Sequence, residues 1–562
     1  MRIHSTYGRF VSAVNIALGL AACSESDTEA SRADHAEQAD ASSSDADKDR
    51  DASAKPSRAQ PDAAASDNQA RDTTPKEASS AEPAKTSEPK KAEGSKPQKD
   101  SSEPSDAGVS SAKDAGPKAP PSEDSFALRV VATGLTAAWE ITWGPDNQLW
   151  ITERTGRVVR VDPATGKLTP VLSVSGVQYS SEHDGLLGMA LHPQLGQSLG
   201  NDFVYIAYTY DADPSDKLDR RARIARYTYD AAAQSLGSAQ TLIENLPASS
   251  DNNAGRLVFG PDDNLYYSIG DQGHNQYDNK CLPIRAQDLP TQTDIDNRDW
   301  STYQGKILRL GLNGSIPENN PTLAGVRTHI FSYGHRNVRG LAFGPDGKLY
   351  GSEPGPKTDD ELNLIAAGGN YGWPHVVGYR DDNAYAYANW SASMPETCDT
   401  LSFSDFKQPE SVPKQLESAW GSNYVAPLRT FYTVDNSFEF VDAACADDPS
   451  VCWPSIAPAS LDLYVPGDNG LQSWGTALLI PSVKKGSVLR VKLAANGEIV
   501  EGNNVELFKT TNRYRDLAIS PNKRTFFVIT DNEGATASPG GGVTYELEHR
   551  GAVLEFAYNP SN

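Results

Sequence analysis

FGPDDNLYYSIGD, residues 259–271, joins a Gly-Pro-Asp turn to a run of aromatic and aliphatic residues. Proline presets φ at the second position of a tight turn and Asp beside it fixes the reversal, so the stretch reads as a hairpin tip followed by a half-buried strand. The same pattern returns as WGPDNQLWITE (143–153), FGPDGKLYGSE (343–353) and ISPNKRTFFVITD (519–531), with weaker versions in LHPQLGQSLGNDFVYIAYTY (191–210) and TALLIPSVKKGSVLRVKL (476–493). These make six. Strands ending in charged hairpins accompany them, as in RVVRVDPATGK (157–167), RIARYTYDAA (223–232), KILRLGLNGS (306–315) and VLRVKLAANG (488–497). Six four-stranded units predict an all-β, six-bladed β-propeller, whose ring closure leaves few exposed sheet edges. A β-sandwich array is the alternative, but it has no need of so many matched turns. The insertions 277–301 and 380–424 are expected to be long inter-strand loops on one face, around the central channel.

Upstream of this pattern the chain changes character. Residues 24–124 are mostly Ala, Ser, Asp, Lys, Glu and Pro, with Val109 the single large aliphatic and no Phe, Trp or Tyr. Such a segment cannot bury enough apolar surface to offset chain entropy and is expected to be a disordered tether. Residues 1–23 carry Arg2 and Arg9, an apolar run from Phe10 to Leu20, and Leu-Ala-Ala-Cys ending at Cys23. This reads as a signal peptide of lipoprotein type, with Cys23 acylated after cleavage; plain secretion with an unmodified Cys23 is the alternative. Either way the protein is exported, to the periplasm or cell surface, and the lipid would tie it to the outer membrane. The propeller then occupies 125–562.

Export places the remaining cysteines, Cys281, Cys398, Cys445 and Cys452, in an oxidising compartment. Cys445 and Cys452 close a short loop and are the better pair; Cys281 with Cys398 follows only from the even count. No CxxC spacing supports a metal site. A formal net charge of −23 argues against nucleic acid, which requires a basic surface, and against direct binding to anionic lipid.

Between the repeats lie motifs with no place in a bare propeller: GDQGHNQ (270–276), YGHRNVRGLAF (333–343), EPGPKTDDELNLIAAGGNYGWPHVVGYRDDNAYAYANW (353–390), VCWPSIAP (451–458), IPSVKKG (480–486) and TNRYRD (511–516). In this order and spacing they closely resemble the soluble PQQ-dependent glucose dehydrogenases of the glucose/sorbosone dehydrogenase group. The resemblance runs from about Leu135 to Phe556. It implies oxidation of a sugar's C1 hydroxyl by hydride transfer to pyrroloquinoline quinone (PQQ), with Ca²⁺ polarising the cofactor and a base taking the proton.

By that resemblance, the cofactor would meet Lys484, Arg336, Asn337, Arg513, Arg515 and Trp453, with His183 where the family has a Gln. Arg forks suit carboxylates, and Arg513 and Arg515, two apart on a strand, would project to one side together. Taken alone, Arg-x-Arg is more often a solvated strand face. The carbonyls of Gly355 and Pro356 would hold the Ca²⁺ at the cofactor. A second, structural Ca²⁺ would take the side chains of Glu361, Asp381 and Glu417 and the carbonyls of Tyr371, Val377 and Tyr379.

Besides His183, the chain departs from the family at Ser450, where the family has an aromatic, at Pro354, where it has a Gln, and at the base position. Where its base is a His, this chain has Asn252, within Asp251-Asn252-Asn253-Ala254-Gly255-Arg256. A neutral amide does not titrate near neutral pH and cannot take the proton. His183, flanked by Glu182 and Asp184, is the candidate for a relocated base, against the alternative that it only hydrogen-bonds the quinone. Asp251 is a third candidate, were burial to raise its pKa. His192 and His335 read as packing histidines.

The sequence thus predicts an exported propeller that oxidises an aldose and passes electrons to a quinone or other soluble acceptor; the resemblance adds a homodimer. A propeller that binds ligand without catalysis is the rival reading. A calcium-dependent lactonase is another, with no evident use for Lys484, Arg336, Arg513 and Arg515.

Overall fold

Why Gly-Pro-Asp recurs is visible in its side chains. In the computed structural model, which describes residues 125–180 and 183–559, Trp150 donates from Nε1 to the turn residue Asp146 at 3.1 Å, and Arg160 pairs with Asp146 at 2.6 Å. The Arg160 guanidinium lies 5.3 Å from the Trp150 ring. The same trio returns as Tyr266, Asp262 and Arg309, with Tyr266 Oη donating to Asp262 at 3.1 Å and Arg309 Nε at 2.8 Å. In these two blades turn acid, second-strand aromatic and third-strand arginine therefore lock each other, while in FGPDGKLY Asp346 pairs with Lys348 and Tyr350 Oη donates to the Gly497 carbonyl. A Cβ on Gly144 would come within 2.5 Å of both Asp146 and Trp150, which is why the turn begins with glycine.

Six antiparallel four-stranded sheets form. The first runs Ala138–Trp143, Leu149–Glu153, Arg157–Val161 and Leu168–Ser173 from channel to rim. The other five start at the inner strands Leu186–Leu191, Ala254–Phe259, Gly340–Phe343, Asp462–Tyr464 and Tyr514–Ile519. The last sheet is completed by both ends of the domain: Val553–Tyr558 pairs with Thr525–Thr530, and Phe126–Ala132 adds the outermost strand, from Phe126 opposite Tyr558 to Ala132 opposite Val553. That non-local pairing closes the ring.

The core sits between sheets, because each sheet is apolar on both faces. Trp150 and Val158 of the first sheet pack on Val204 and Ile206 of the second; Leu479 and Val488 of the fifth pack on Phe526 and Val528 of the sixth; Ile529 and Val553 of the sixth pack on Ile151 and Val159 of the first. Helix is scarce among the described residues. The longer helix, Gln292–Asn297, is started by a capping box between Thr291 and Asp294.

At the centre, all six inner edges meet one charge cluster. Arg256 Nη1 reaches Asp516 at 3.0 Å and Glu140 at 3.4 Å, while its Nε donates to the Arg339 carbonyl at 2.9 Å. Glu140 also accepts from Met189 N–H at 2.8 Å, and Asp462 lies within electrostatic reach of Arg256 and Asp516. The cluster divides the channel into two ends.

The signal segment, Cys23, the tether and Glu182 lie outside the described residues. Both disulfides form, Cys445–Cys452 and Cys281–Cys398. The second ties the insertion at 277–301 to that at 380–424, a link that the sequence supported only by count.

Candidate active site

In an antiparallel blade, the start of the inner strand and the end of the second strand share one face. His183, Asn252, Arg336, Asn337 and Arg513 precede or begin inner strands, Gly355 and Pro356 follow the second strand Leu349–Glu353, and Lys484 follows the second strand Ala477–Pro481. Residues scattered over 330 positions of sequence are thereby gathered at one end of the ring.

The cations come with their own counter-charges. Arg513 Nε and Arg515 Nε each donate to Asp531 at 3.0 Å. Burial raises the Asp531 pKa, but the two guanidiniums overcome it and pull it down to about 2. Arg515 is 2% exposed, so its fork serves Asp531 first, whereas Arg513 Nη1 also donates to the Ala535 carbonyl at 2.7 Å. Lys484 Nζ donates to the Trp453 carbonyl at 3.2 Å, and burial depresses its ammonium to about 8, opposed by Asp360. Arg336 lies over the Trp373 ring at 5.5 Å, and its backbone N–H donates to Glu353 at 2.8 Å. Two buried donors, Arg336 Nε and Trp453 Nε1, meet no acceptor among the described residues.

Asn252 is buried, with its amide clamped at both ends: Nδ2 donates to Asp271 at 3.0 Å and Oδ1 accepts from Asn337 Nδ2 at 2.9 Å. Asn337, expected at the cofactor, is itself fully buried and turned to Asn252 and the Ala254 N–H. The Asn252 backbone N–H donates to Asp251 Oδ1 at 2.8 Å and also lies 3.2 Å from His183 Nδ1. His183 and Asp251 are 3.3 Å apart, with side chains 27% and 28% exposed. The three proton-handling candidates therefore form one cluster.

One expectation about them changes. Asp251 does not have a raised pKa: burial pushes it up, but the charges of His183 and Arg336 outweigh that and hold it below the usual carboxylate range. Asp184 is fully buried and pairs with Arg220 at 3.1 Å.

The acidic loop is partly assembled. Glu417 accepts from the N–H groups of Val377, Asp381 and Asp382, and Glu361 from the N–H of Gly378 and from Asn363, so both buried carboxylates wrap one segment. Burial raises both pKa values, Glu417 to about 7. The carboxylate of exposed Asp381 accepts from the Asn383 N–H, and no group of three acids, His or Cys close enough to hold a metal occurs among the described residues. Tyr371 Oη is engaged by Leu364 and Ala366, which leaves the expected contribution of Tyr371 to its carbonyl.

Four residues of the site were missed by the sequence reading. Asp271 and Gln276 lie in GDQGHNQ, where Gln276 Nε2 donates to Asp251 at 2.8 Å. Trp373 donates to Asp271 at 3.0 Å. Lys357, in EPGPK, lies 5.1 Å from the Phe406 ring and donates to the Asp405 carbonyl at 2.8 Å. All four lie inside the quoted motifs, so motif membership could have flagged them. Beside them opens a cavity of about 550 Å³ walled by Trp373, Tyr385, Trp390, Phe403 and Phe440. Most of its wall comes from the 380–424 insertion.

Residues 135–401 match the glucose/sorbosone dehydrogenase family. Quinoprotein glucose dehydrogenase B of Acinetobacter calcoaceticus is 43% identical over 440 residues, covering 77% of this chain and 91% of its own length. The chain belongs to the glucose/sorbosone dehydrogenase family. Aldose sugar dehydrogenase YliI of Escherichia coli (strain K12) is 25% identical over 72% of this chain and 91% of its own. Among solved structures, the PQQ-bound aldose sugar dehydrogenase of Streptomyces coelicolor is 26% identical, with a TM-score of 0.52, over 78% of this chain and 99% of its own.

Proposed function

We propose that this family member binds PQQ at the gathered cations, with Ca²⁺ at neighbouring carbonyls, and oxidises an aldose, glucose or a close relative, at C1 to the lactone. The observation that carries the reading is the convergence of Lys484, Arg336 and Arg513 with Trp453 beside an aromatic-walled cavity. The residues suit the cofactor: Arg336 Nε and Trp453 Nε1 are buried donors in need of acceptors, and a tricarboxylate offers them. When bound, PQQ supplies a hydride acceptor and Ca²⁺ at the Gly355 and Pro356 carbonyls polarises it. The second Ca²⁺, between Glu361, Glu417 and the 377–382 segment, would neutralise two buried carboxylates and brace the loop.

The chain's own residues then bind, orient and deprotonate the sugar. Trp373 and the rings of the cavity pack its apolar faces and exclude water. Asn252 holds no proton role, because both ends of its amide are engaged. His183 with Asp251 takes the hydroxyl proton: the shorter bond of the Asn252 N–H goes to Asp251, which leaves Nδ1 of His183 to donate to the same carboxylate and Nε2 to accept. Two contacts favour a second reading. The Asn252 N–H and Arg339 Nη2 each lie 3.2 Å from Nδ1, and if they donate there, Nε2 carries the hydrogen and serves as a donor to the cofactor instead.

Electrons would pass to a quinone or other soluble acceptor, the molecule would be a homodimer, and Cys23 would carry an outer-membrane lipid. Detergent partitioning of the wild type but not of Cys23→Ser tests the lipid. Reconstitution with PQQ and Ca²⁺, followed by glucose-dependent reduction of an artificial electron acceptor, tests the activity. Tight PQQ binding with no turnover of any aldose would sink it in favour of a binding propeller.

A further inference from the structure

We propose that the end of the channel opposite the cofactor residues is a second binding site, for a neutral polyhydroxylated molecule of monosaccharide size. The cavity there has a volume of about 570 Å³. That falls within the roughly 300–1,000 Å³ of small-molecule sites. It opens between the turns at Gly144–Asn147, Pro193 and Pro521 and ends at the Arg256 cluster.

At that inner end the polar groups do not cancel. Arg256 is 6% exposed, and its Nη2 is buried with no acceptor among the described residues, although its other nitrogens reach Asp516, Glu140 and the Arg339 carbonyl. Glu140, Asp462 and Asp516 line the same cavity. A buried donor without a partner costs about 1–3 kcal/mol, so a ligand that satisfies it gains directly.

The mixture selects the ligand class. Among the described residues no three acids lie close enough to hold a metal ion, and the Arg256 guanidinium is already met by Asp516 and Glu140, which leaves no net positive charge for an anion. A hydroxyl can accept from Nη2 while its neighbour on the same ring donates to a carboxyl oxygen, which no simple ion does. Above this end the walls are Trp143, His192 and Phe259, with His192 and Phe259 edge to face at 5.2 Å, together with Met189, Leu341 and Leu461. Rings and aliphatic groups over a polar base suit the C–H faces of a sugar or cyclic polyol.

The probe is 1,5-anhydro-D-glucitol, which lacks the C1 hydroxyl and cannot be oxidised there. Crystals of the unmodified protein soaked with it are expected to show the ring within hydrogen-bond distance of Arg256 Nη2. Calorimetric titration is expected to lose one binding event, by at least tenfold in affinity, in Thr142→Trp, which puts an indole in the cavity and leaves every residue of the charge cluster in place. Water alone in a saturated crystal, density without solution binding (binding at crystal concentration only), or superimposable titrations of wild type and Thr142→Trp would each overturn the site. If Thr142→Trp does not fold, the soak and titration of the unmodified protein decide. Glucose-driven dye reduction reads the other face, so its failure bears on the dehydrogenase reading and not on this one.

Discussion

The amide of Asn252 donates to the buried carboxylate of Asp271 at 3.0 Å. Asp271 also accepts from Gly273 N–H at 2.9 Å and from Trp373 at 3.0 Å. It is 1% exposed, and burial, opposed by Arg336, pushes its pKa up to about 6. A carboxylate so enclosed cannot reach a sugar hydroxyl; it can orient whatever side chain occupies position 252. Here that side chain is an amide, fixed by Asp271 on one side and Asn337 on the other. An imidazole in its place would donate to Asp271 and turn its second nitrogen outward.

The proton assignment is tested by exchange between the two positions. His183→Gln is expected to lower kcat by about 10²-fold or more with PQQ still bound, because Gln keeps a hydrogen-bonding group and removes the titrating one. Adding Asn252→His to that variant is expected to restore turnover, within the roughly 10² to 10⁴ that a positioned base contributes. The wild-type pH–rate profile should carry a limb that His183→Gln lacks. Unchanged kcat in His183→Gln would instead make Nε2 a donor to the cofactor.

Cofactor affinity reports on the cations. Lys484→Ala is expected to weaken PQQ binding by about 1.5–3 kcal/mol, a charge-assisted contact, or roughly tenfold to 150-fold in Kd. Coincident fluorescence titrations of variant and wild type would remove Lys484 from the site.

The propeller was legible because its signal is local: Gly144, Asp146 and Trp150 lie within seven residues and fix one another. The fifth unit was weak for the same reason. Its Pro481–Gly486 stretch joins the second and third strands, not the first and second, and its inner strand is only Asp462–Tyr464. Closure by Phe126–Ala132 left no pattern, since the partner strand is over 400 residues away. At the site, motifs identified Lys484, Arg336 and Arg513, but the sequence could not say that Asn337 would face Asn252 or that Arg336 would hold Asp251 ionised. Those depend on packing between blades. The Arg256 cluster was invisible because its charged members come from four different inner strands.

That cluster is expected to be central to stability. Arg256→Met would leave Glu140, Asp462 and Asp516 facing one another with their shared cation gone, and removing one partner of a buried charge set typically costs about 3–5 kcal/mol. Urea unfolding of the two proteins at neutral pH measures it; a difference under about 1 kcal/mol would mean that water already neutralises the acids.

The same cluster gives stability a pH dependence of definite sign. Burial raises the Glu140 pKa from an ordinary 4.5 to about 8, with Arg256 opposing and Asp516 adding to the rise. A carboxyl that holds its proton more tightly when folded contributes stability that is complete below its unfolded pKa and is lost as pH climbs through the folded one. Wild-type stability is therefore expected to fall from pH 6 to about pH 8, while folded Glu140 keeps a proton that the unfolded chain has lost, and to level off above that as Glu140 ionises inside the channel as well. Glu140→Gln keeps an oxygen for the Met189 N–H but has no proton to lose, so its urea midpoint should fall less over the same interval. Asp462, Asp271, Glu361 and Glu417 are raised as well and remain in both proteins, so the slope shared by the two is theirs and the difference belongs to Glu140. Parallel slopes would show that Glu140 is already ionised at pH 6 and that Arg256, not burial, sets its charge.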